Sequence, residues 1–405
     1  MNDRQRNRTA QSVFCLLCGF LILTLTGCWN RVEVNDLALI MAAGIDKKDE
    51  DGIELTAQIF IPKSGGAQQG GGSTSGSGGA QGQTLVRTGR GVTIADAMSK
   101  LQEALPRKIF WGHTEVFIIG EQLARSGIRE QLDFILRFPQ MRERSSIFIC
   151  KGTAKQVMEA SPPLERSTSE VLREMTKSKQ GLSLTVNELA QMLSGDSKAA
   201  IIPWVEPLPA DRGNRDQQPI PYIMGTAVFK KDQMIGRIDD KTTRGVLWLR
   251  DEVERAIVTV APEIADKGYV SFVLLRSSTE LIPSVKGDQW SMTVKIETED
   301  DVIQNTTKLD IMKPEITNSL EKELEKDIIS RVNLALTKAQ KERKVDIFGF
   351  NEVFHRHYPK QWEQIKENWE EKFPEIEVRV LADAKIRRPG SITSGGTLPE
   401  EEVMK

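Results

Sequence analysis

The chain has 405 residues, of which 39% are hydrophobic, 28% charged and 6% aromatic. That suits two or three folded domains and excludes both a multispanning membrane protein and a wholly disordered chain. A net charge of −2 leaves no basic excess for nucleic acid, and three histidines with four cysteines offer little for a zinc enzyme or a disulfide scaffold.

The amino terminus reads as an address. Arg4, Arg6 and Arg8 stand against a single Asp3, and an apolar run follows from Val13 to Leu25. The run is shorter than the ~20 residues that a spanning helix needs, so this is the layout of an export signal. Leu25-Thr26-Gly27-Cys28 comes next and resembles the bacterial lipobox. In that pathway the cysteine becomes an S-diacylglycerol, N-acyl cysteine and the peptide is cut just before it. Residues 1–27 are therefore expected to be removed, with Cys28 as the lipidation site; an uncleaved signal anchor is the alternative. The processed chain would have 378 residues and a net charge of −4. Cys15 and Cys18 leave with the signal and Cys150 is then the one free thiol, so no intramolecular disulfide is expected.

Two apolar runs, Leu37–Asp46 and Ile53–Pro62, flank a polar turn ending in Asp51-Gly52 and predict a hairpin. Residues 64–83 contain nine glycines and no large apolar side chain, and read as a flexible surface excursion. Gly89-Arg90-Gly91 lacks the third glycine of a dinucleotide turn. Thr93 is placed to cap a helix carrying Ile94, Ala97, Met98, Leu101 and Leu105 at helical spacing. Thr114–Gly120 and Ser145–Lys151 read as strands. Helices are expected over Glu121–Arg125 and Ile128–Phe138, with Gly127 closing the first, then from Thr153, Ser167 and Val186. Residues 28–200 make one α+β domain on this reading.

A cluster of prolines at 203, 207, 209, 219 and 221 marks a boundary by composition. A second hairpin is expected around Lys231-Asp232-Gln233, then a short helical stretch at Val246–Leu249, giving a small middle domain over 201–254. From Arg255 the pattern turns to extended runs, with Met292, Val294 and Ile296 alternating with polar residues as in a half-buried antiparallel sheet. A long helix starts at Pro314, with Ile316, Leu320, Leu324, Ile328, Val332 and Ala335 on one stripe. The strand Ile376–Ile386 closes a third domain over 255–388, and 389–405 is a flexible tail. The expected fold is α+β: three mixed α/β domains with largely antiparallel or mixed sheets behind a cleaved lipoprotein signal peptide.

The ordered set of motifs resembles the Ger(x)C family, the lipoprotein C subunits of nutrient germinant receptors in endospore-forming bacteria. The resemblance begins at Cys28-Trp29-Asn30-Arg31 and Gly44-Ile45-Asp46 and continues through His113-Thr114-Glu115-Val116 and Leu132-Asp133-Phe134. It includes Gly225-Thr226-Ala227-Val228-Phe229, Gly236 and Gly245-Val246-Leu247-Trp248-Leu249. Its most specific stretch is Asp346-Ile347-Phe348-Gly349-Phe350, then Tyr358-Pro359, Trp362, Trp369 and Phe373-Pro374-Glu375-Ile376, ending in Lys385-Ile386-Arg387-Arg388. The resemblance implies a three-domain soluble body held by lipid on the outer face of the spore's inner membrane. Its implied partners are the membrane-embedded A and B subunits.

Other constellations read as structural. His355 and His357 diverge on a helix and have no third metal ligand nearby in sequence. His113 reads as a structural polar residue and Cys150 as a buried, inert thiol. Phe350, Phe354, Tyr358, Trp362, Ile365 and Trp369 recur at helical spacing and read as core, with a partner-docking face as the alternative. Glu321, Glu323 and Glu325 read as a solvated helix face. No nucleophile, base and orienting group come together, so no enzymatic activity, cofactor, metal or small-molecule substrate is assigned. A solute-binding lipoprotein of an uptake system is the alternative function, and a tethered cell-wall hydrolase the less favoured one.

Overall fold

The structure, a computed structural model, describes residues 36–49, 52–61, 84–160, 165–179, 181–208 and 220–388. The expected signal peptide and lipidation site Cys28, the glycine-rich stretch and residues 389–405 lie outside the described residues.

Nine strands build the first sheet: β1 (Leu37–Lys48), β2 (Gly52–Phe60), β3 (Thr84–Gly91), β4 (Lys108–Phe110), β5 (Val116–Gly120), β6 (Ser146–Cys150), β7 (Ala199–Leu208), β8 (Ile220–Lys230) and β9 (Gln233–Ile238). Their order is β3-β2-β1-β5-β6-β7-β8-β9, with β4 also beside β1. The centre, β1-β5-β6-β7, is parallel, and both flanks are antiparallel. Parallel strands must be covered on both faces, and the side chains of β5 divide accordingly. Phe117 and Ile119 face helices α1 (Ile94–Glu103), α2 (Glu121–Ser126), α3 (Arg129–Arg137) and α6 (Val186–Ser194). Val116 and Ile118 face α4 (Ala154–Glu159) and α5 (Thr168–Lys177).

The helix starts follow their caps. Thr93 Oγ1 accepts from the Asp96 N–H at 3.2 Å, and Thr153 and Thr185 form capping boxes with Gln156 and Glu188. Gly127, at φ +121°, closes α2 as its spacing predicts. Gly89 and Gly91, which fail as a phosphate turn, lie in β3. A Cβ at Gly89 would come 2.2 Å from the Ala97 carbonyl oxygen, so bare glycine lets α1 settle onto the strand.

Four strands build the second sheet, in the order β10 (Ile257–Val260), β11 (Val270–Lys286), β12 (Gln289–Asn305), β13 (Glu377–Arg388). β11 and β12 form a hairpin of 17 residues a side, about twice the extent that their apolar runs suggest. A register shift between Leu274 and Arg276 breaks the alternation, which hides the continuation of β11 from a period-two reading. Helix α8 (Pro314–Leu336) buries Leu320, Leu324, Ile328, Val332 and Ala335 as its stripe predicts.

Three expectations are corrected. The boundary expected at the proline cluster does not begin at 201: Pro203 and Pro207 lie in β7, and the ladder to β8 shifts register at Pro203. Residues 201–254 are divided between the two cores, with β7–β9 completing the first sheet and α7 (Asp240–Leu249) joining the second core. Glu321 and Glu325 are not a solvated face. They accept the Ile386 and Ala384 N–H groups at 3.0 and 3.2 Å, satisfying the outer edge of β13.

Asp300 points inward from β12 at 2% exposure and accepts from Thr298 Oγ1 at 2.6 Å. Burial first, and the Asp301 charge after it, push its pKa up to about 6. Between pH ~4 and that value the folded chain keeps a proton that the unfolded chain has lost. Stability from this group therefore falls as pH rises through the window and stays low above it. Asp300→Asn is expected to stabilise the protein by about 2–3 kcal/mol at pH 7.5 and by much less at pH 4.5. Thermal midpoints of both proteins at the two pH values check this; an equal difference at both would contradict it.

Candidate functional site

Gly44 and Asp46, the Gly225–Leu249 motifs and the Asp346–Ile376 stretch, all part of the resemblance, fall at three joints of the fold. The first is the end of β1. Gly44 lets α4 approach, since a Cβ there would lie 2.8 Å from Ala154 Cβ and from Met158 Sδ. Asp46, 3% exposed, then accepts the Ala154 and Lys155 N–H groups at 2.8 and 3.2 Å, pinning the start of α4. Burial raises its pKa, and the two N–H groups act against that.

The second joint ties the two sheets together. Gly225, at φ +93°, brings β8 against the Ile238 carbonyl. Thr226 and Thr243 share a buried hydroxyl hydrogen bond of 3.0 Å, and Asp239 caps α7 through the Thr242 N–H at 2.8 Å. Gly245 crosses α8 so closely that a Cβ would meet the Arg331 carbonyl at 2.1 Å. Arg343, in the π-helical turn Thr337–Arg343 that extends α8, donates to the Arg237 carbonyl at 2.8 Å over Gly236 and so covers β9. Leu182, Ala199, Ile201, Val228 and Ile238 of the first sheet's layer share one core with Phe272, Met292 and Val294 of the second. The halves are fused by packing rather than joined by a free linker.

The third joint is aromatic. Asp346 is buried and receives five N–H groups: those of Phe348, Gly349, Phe350 and Asn351, at 3.2, 3.1, 3.2 and 2.8 Å, and the Trp369 indole at 3.1 Å. Burial pushes its pKa up, and the N–H groups of Asn351, Phe350 and Phe348 and the Trp369 indole oppose it. Gly349, at φ +80°, makes the turn that points these donors inward and opens helix α9 (Phe350–His357). Trp362 of α10 (Pro359–Ile365) and Trp369 of α11 (Trp369–Lys372) meet edge to face at 5.0 Å, and Trp290 packs on Phe354 at 4.7 Å. Phe350, Phe354, Trp362 and Trp369 are buried, so the aromatic stripe is core.

Chemistry-bearing residues are dispersed. His355 stacks on Trp362 and places Nδ1 3.5 Å from an Asp196 carboxylate oxygen, which also accepts the Trp362 indole N–H at 3.2 Å. His357 bonds through Nδ1 to the Val353 carbonyl of its own helix at 2.9 Å, and His113 is exposed beside Phe110. The Cys150 thiol is buried, and burial followed by the Asp46 charge pushes its pKa well up, which leaves it without thiolate character. Among the described residues no three His, Cys, Asp or Glu side chains gather as metal ligands, and no helix is long and apolar enough to cross a membrane. A cavity of about 350 Å³ beside Lys47, Gly127, Gln131 and Asp232 has Ser126 as its one hydroxyl and no histidine or cysteine in its lining. Sequence reasoning missed Asp196, Arg343 and the two α8 glutamates, because each acts on a partner far away along the chain.

Two family models match in succession: "Spore germination protein N-terminal domain" over residues 30–207 and "Spore germination B3/ GerAC like, C-terminal" over residues 224–390. The chain is 29% identical to YfkR of Bacillus subtilis (strain 168), over 93% of this chain and 96% of that protein. It is 26% identical to spore germination protein KC of the same organism, with the same shares covered. Spore germination protein YndF, also from that organism, is 25% identical, over 96% of this chain and 98% of that protein. The crystal structure of the GerBC protein shares the fold, with a TM-score of 0.53 and 18% identity over 85% of this chain and 96% of that one. With both halves matched in order and all three joints built from the motif residues, the chain belongs to the Ger(x)C family of spore germination proteins.

Proposed function

We propose that this protein is the lipid-anchored, non-enzymatic C subunit of a nutrient germinant receptor. On this reading it sits on the outer face of the spore's inner membrane and acts by contact with membrane-embedded A and B subunits. The observation that carries the reading is the ordered match of two spore germination models across residues 30–207 and 224–390. The dispersed histidines and the buried, protonated thiol support a role in contact rather than catalysis. A solute-binding lipoprotein would need two similar lobes on crossed hinge strands. Here one sheet has nine strands and the other four, and the two halves share a core.

Cys28 is the proposed attachment site, carrying the S-diacylglycerol and the N-acyl group. Cys28→Ala is expected to abolish labelling by a fatty acid fed to the cells and to block removal of residues 1–27. The thermal midpoint of the body should not change, since the first described strand begins nine residues later. Label retained on the alanine variant would overturn the assignment.

A further inference from the structure

We infer that the rim formed by the amino-terminal ends of β1, β4, β5 and β6 is the face that rests on anionic lipid headgroups. The inference rests on Cys28 being the anchor. Asp36, the first described residue, stands at this rim just before β1 and is eight residues from Cys28 in sequence, a reach of at most about 29 Å. The ladder defines what lies there. Leu37 pairs with Lys108 in parallel register, and Leu39 pairs with Phe60, which puts Ile61 at the same end.

The segment before β6 packs on the turn between β4 and β5. Gln140 Oε1 accepts the Trp111 N–H at 3.3 Å, and Ser145 Oγ donates to the Thr114 carbonyl at 2.6 Å. This holds Arg142 and Arg144 toward the same end of the sheet as Arg107 and Lys108, set further in along the strands because Val116 and Ser146 lie level with Ala42, and all four are exposed. None of the four has a carboxylate partner among the described residues. At the opposite ends of the same strands, Arg125, Lys151 and Lys155 are each held by a carboxylate, from Glu121, Glu206 and Glu159 at 2.8, 3.4 and 3.9 Å, while Lys47 bonds to Ser126 Oγ at 3.3 Å and Lys48 has no carboxylate partner among the described residues. Ile61, 47% exposed, adds an apolar side chain at the rim. Asp36, Glu103 and Glu143 are exposed and within a few residues of this rim in sequence, so the charge excess is small. The rim therefore suits a surface against which an anchor already holds it, where each free cation adds attraction that fades within a Debye length.

Register also supplies the test. Lys108 sits opposite Leu37, whereas Lys48 lies eleven residues further along β1, about 36 Å away. The full lipidated chain, with Lys108→Cys or Lys48→Cys carrying a fluorophore, would be bound to vesicles of equal parts phosphatidylcholine and phosphatidylglycerol that carry a headgroup quencher. The buried Cys150 stays unlabelled. Quenching at position 108 should exceed that at position 48 several-fold. Combining Arg107→Glu, Arg142→Glu and Arg144→Glu, or using phosphatidylcholine alone, should shrink the difference. Co-flotation with equal quenching at the two positions would overturn the orientation while leaving the anchor intact. That is also the outcome expected if the rim docks on a protein instead. A chain that fails to float with either vesicle would overturn the anchor and the orientation together.

Discussion

Asp346→Ala is expected to destabilise the protein by about 3–5 kcal/mol, as several buried donors stranded at about 1–3 kcal/mol each would after partial relaxation. The magnitude follows from what would be stranded. Four backbone N–H groups and the Trp369 indole converge on this carboxylate, and all would lose their acceptor in a site that water does not reach. Asp346→Asn should recover only part of the loss, since its amide group turns N–H donors toward other donors. Urea unfolding of the three proteins checks this. A loss below about 1 kcal/mol for Asp346→Ala, the worth of one ordinary hydrogen bond, would show that the donors find other partners.

Trp362→Ala should cost about 3–5 kcal/mol, because the ring is fully buried and its removal leaves a cavity among Trp369 and its neighbours. Trp362→Phe separates packing from the polar contact, since it keeps most of the ring but gives up the indole bond to Asp196. It should cost about 1–2 kcal/mol. If the phenylalanine variant lost as much as the alanine variant, the link to Asp196 would outweigh the packing.

The elements legible in the sequence are those whose signals are local. Thr93 and Thr153 announce their helices, Gly127 its helix end, and the stripe from Leu320 to Ala335 the face of α8 that is buried. The signals that failed are those decided by a distant partner. Prolines at 203 and 207 argue against a strand until β8 pairs with both, through a register shift just after Pro203 and with Pro221 opposite Pro207. Glu321 and Glu325 look like solvent-facing charge until β13, some sixty residues later, presents two unpaired N–H groups. The middle segment looks self-contained because its hairpin is local, whereas its other contacts run to β6 on one side and α8 on the other. At the joints the residue types were visible and their purpose was not: Gly44, Gly236 and Gly245 reveal their role only against Met158, Arg343 and Arg331.

The most direct measurement of the receptor role is nutrient-triggered loss of refractility in spores that lack this protein and every paralogous C subunit. Such spores would be complemented with the wild-type chain, with Cys28→Ala, or with nothing, and the protein levels blotted in parallel. The wild-type copy should restore germination through the cognate receptor. Cys28→Ala should restore it only weakly at equal protein level, since loss of the anchor dilutes the body away from its partners. Germination that proceeds unchanged with no copy at all would contradict the role.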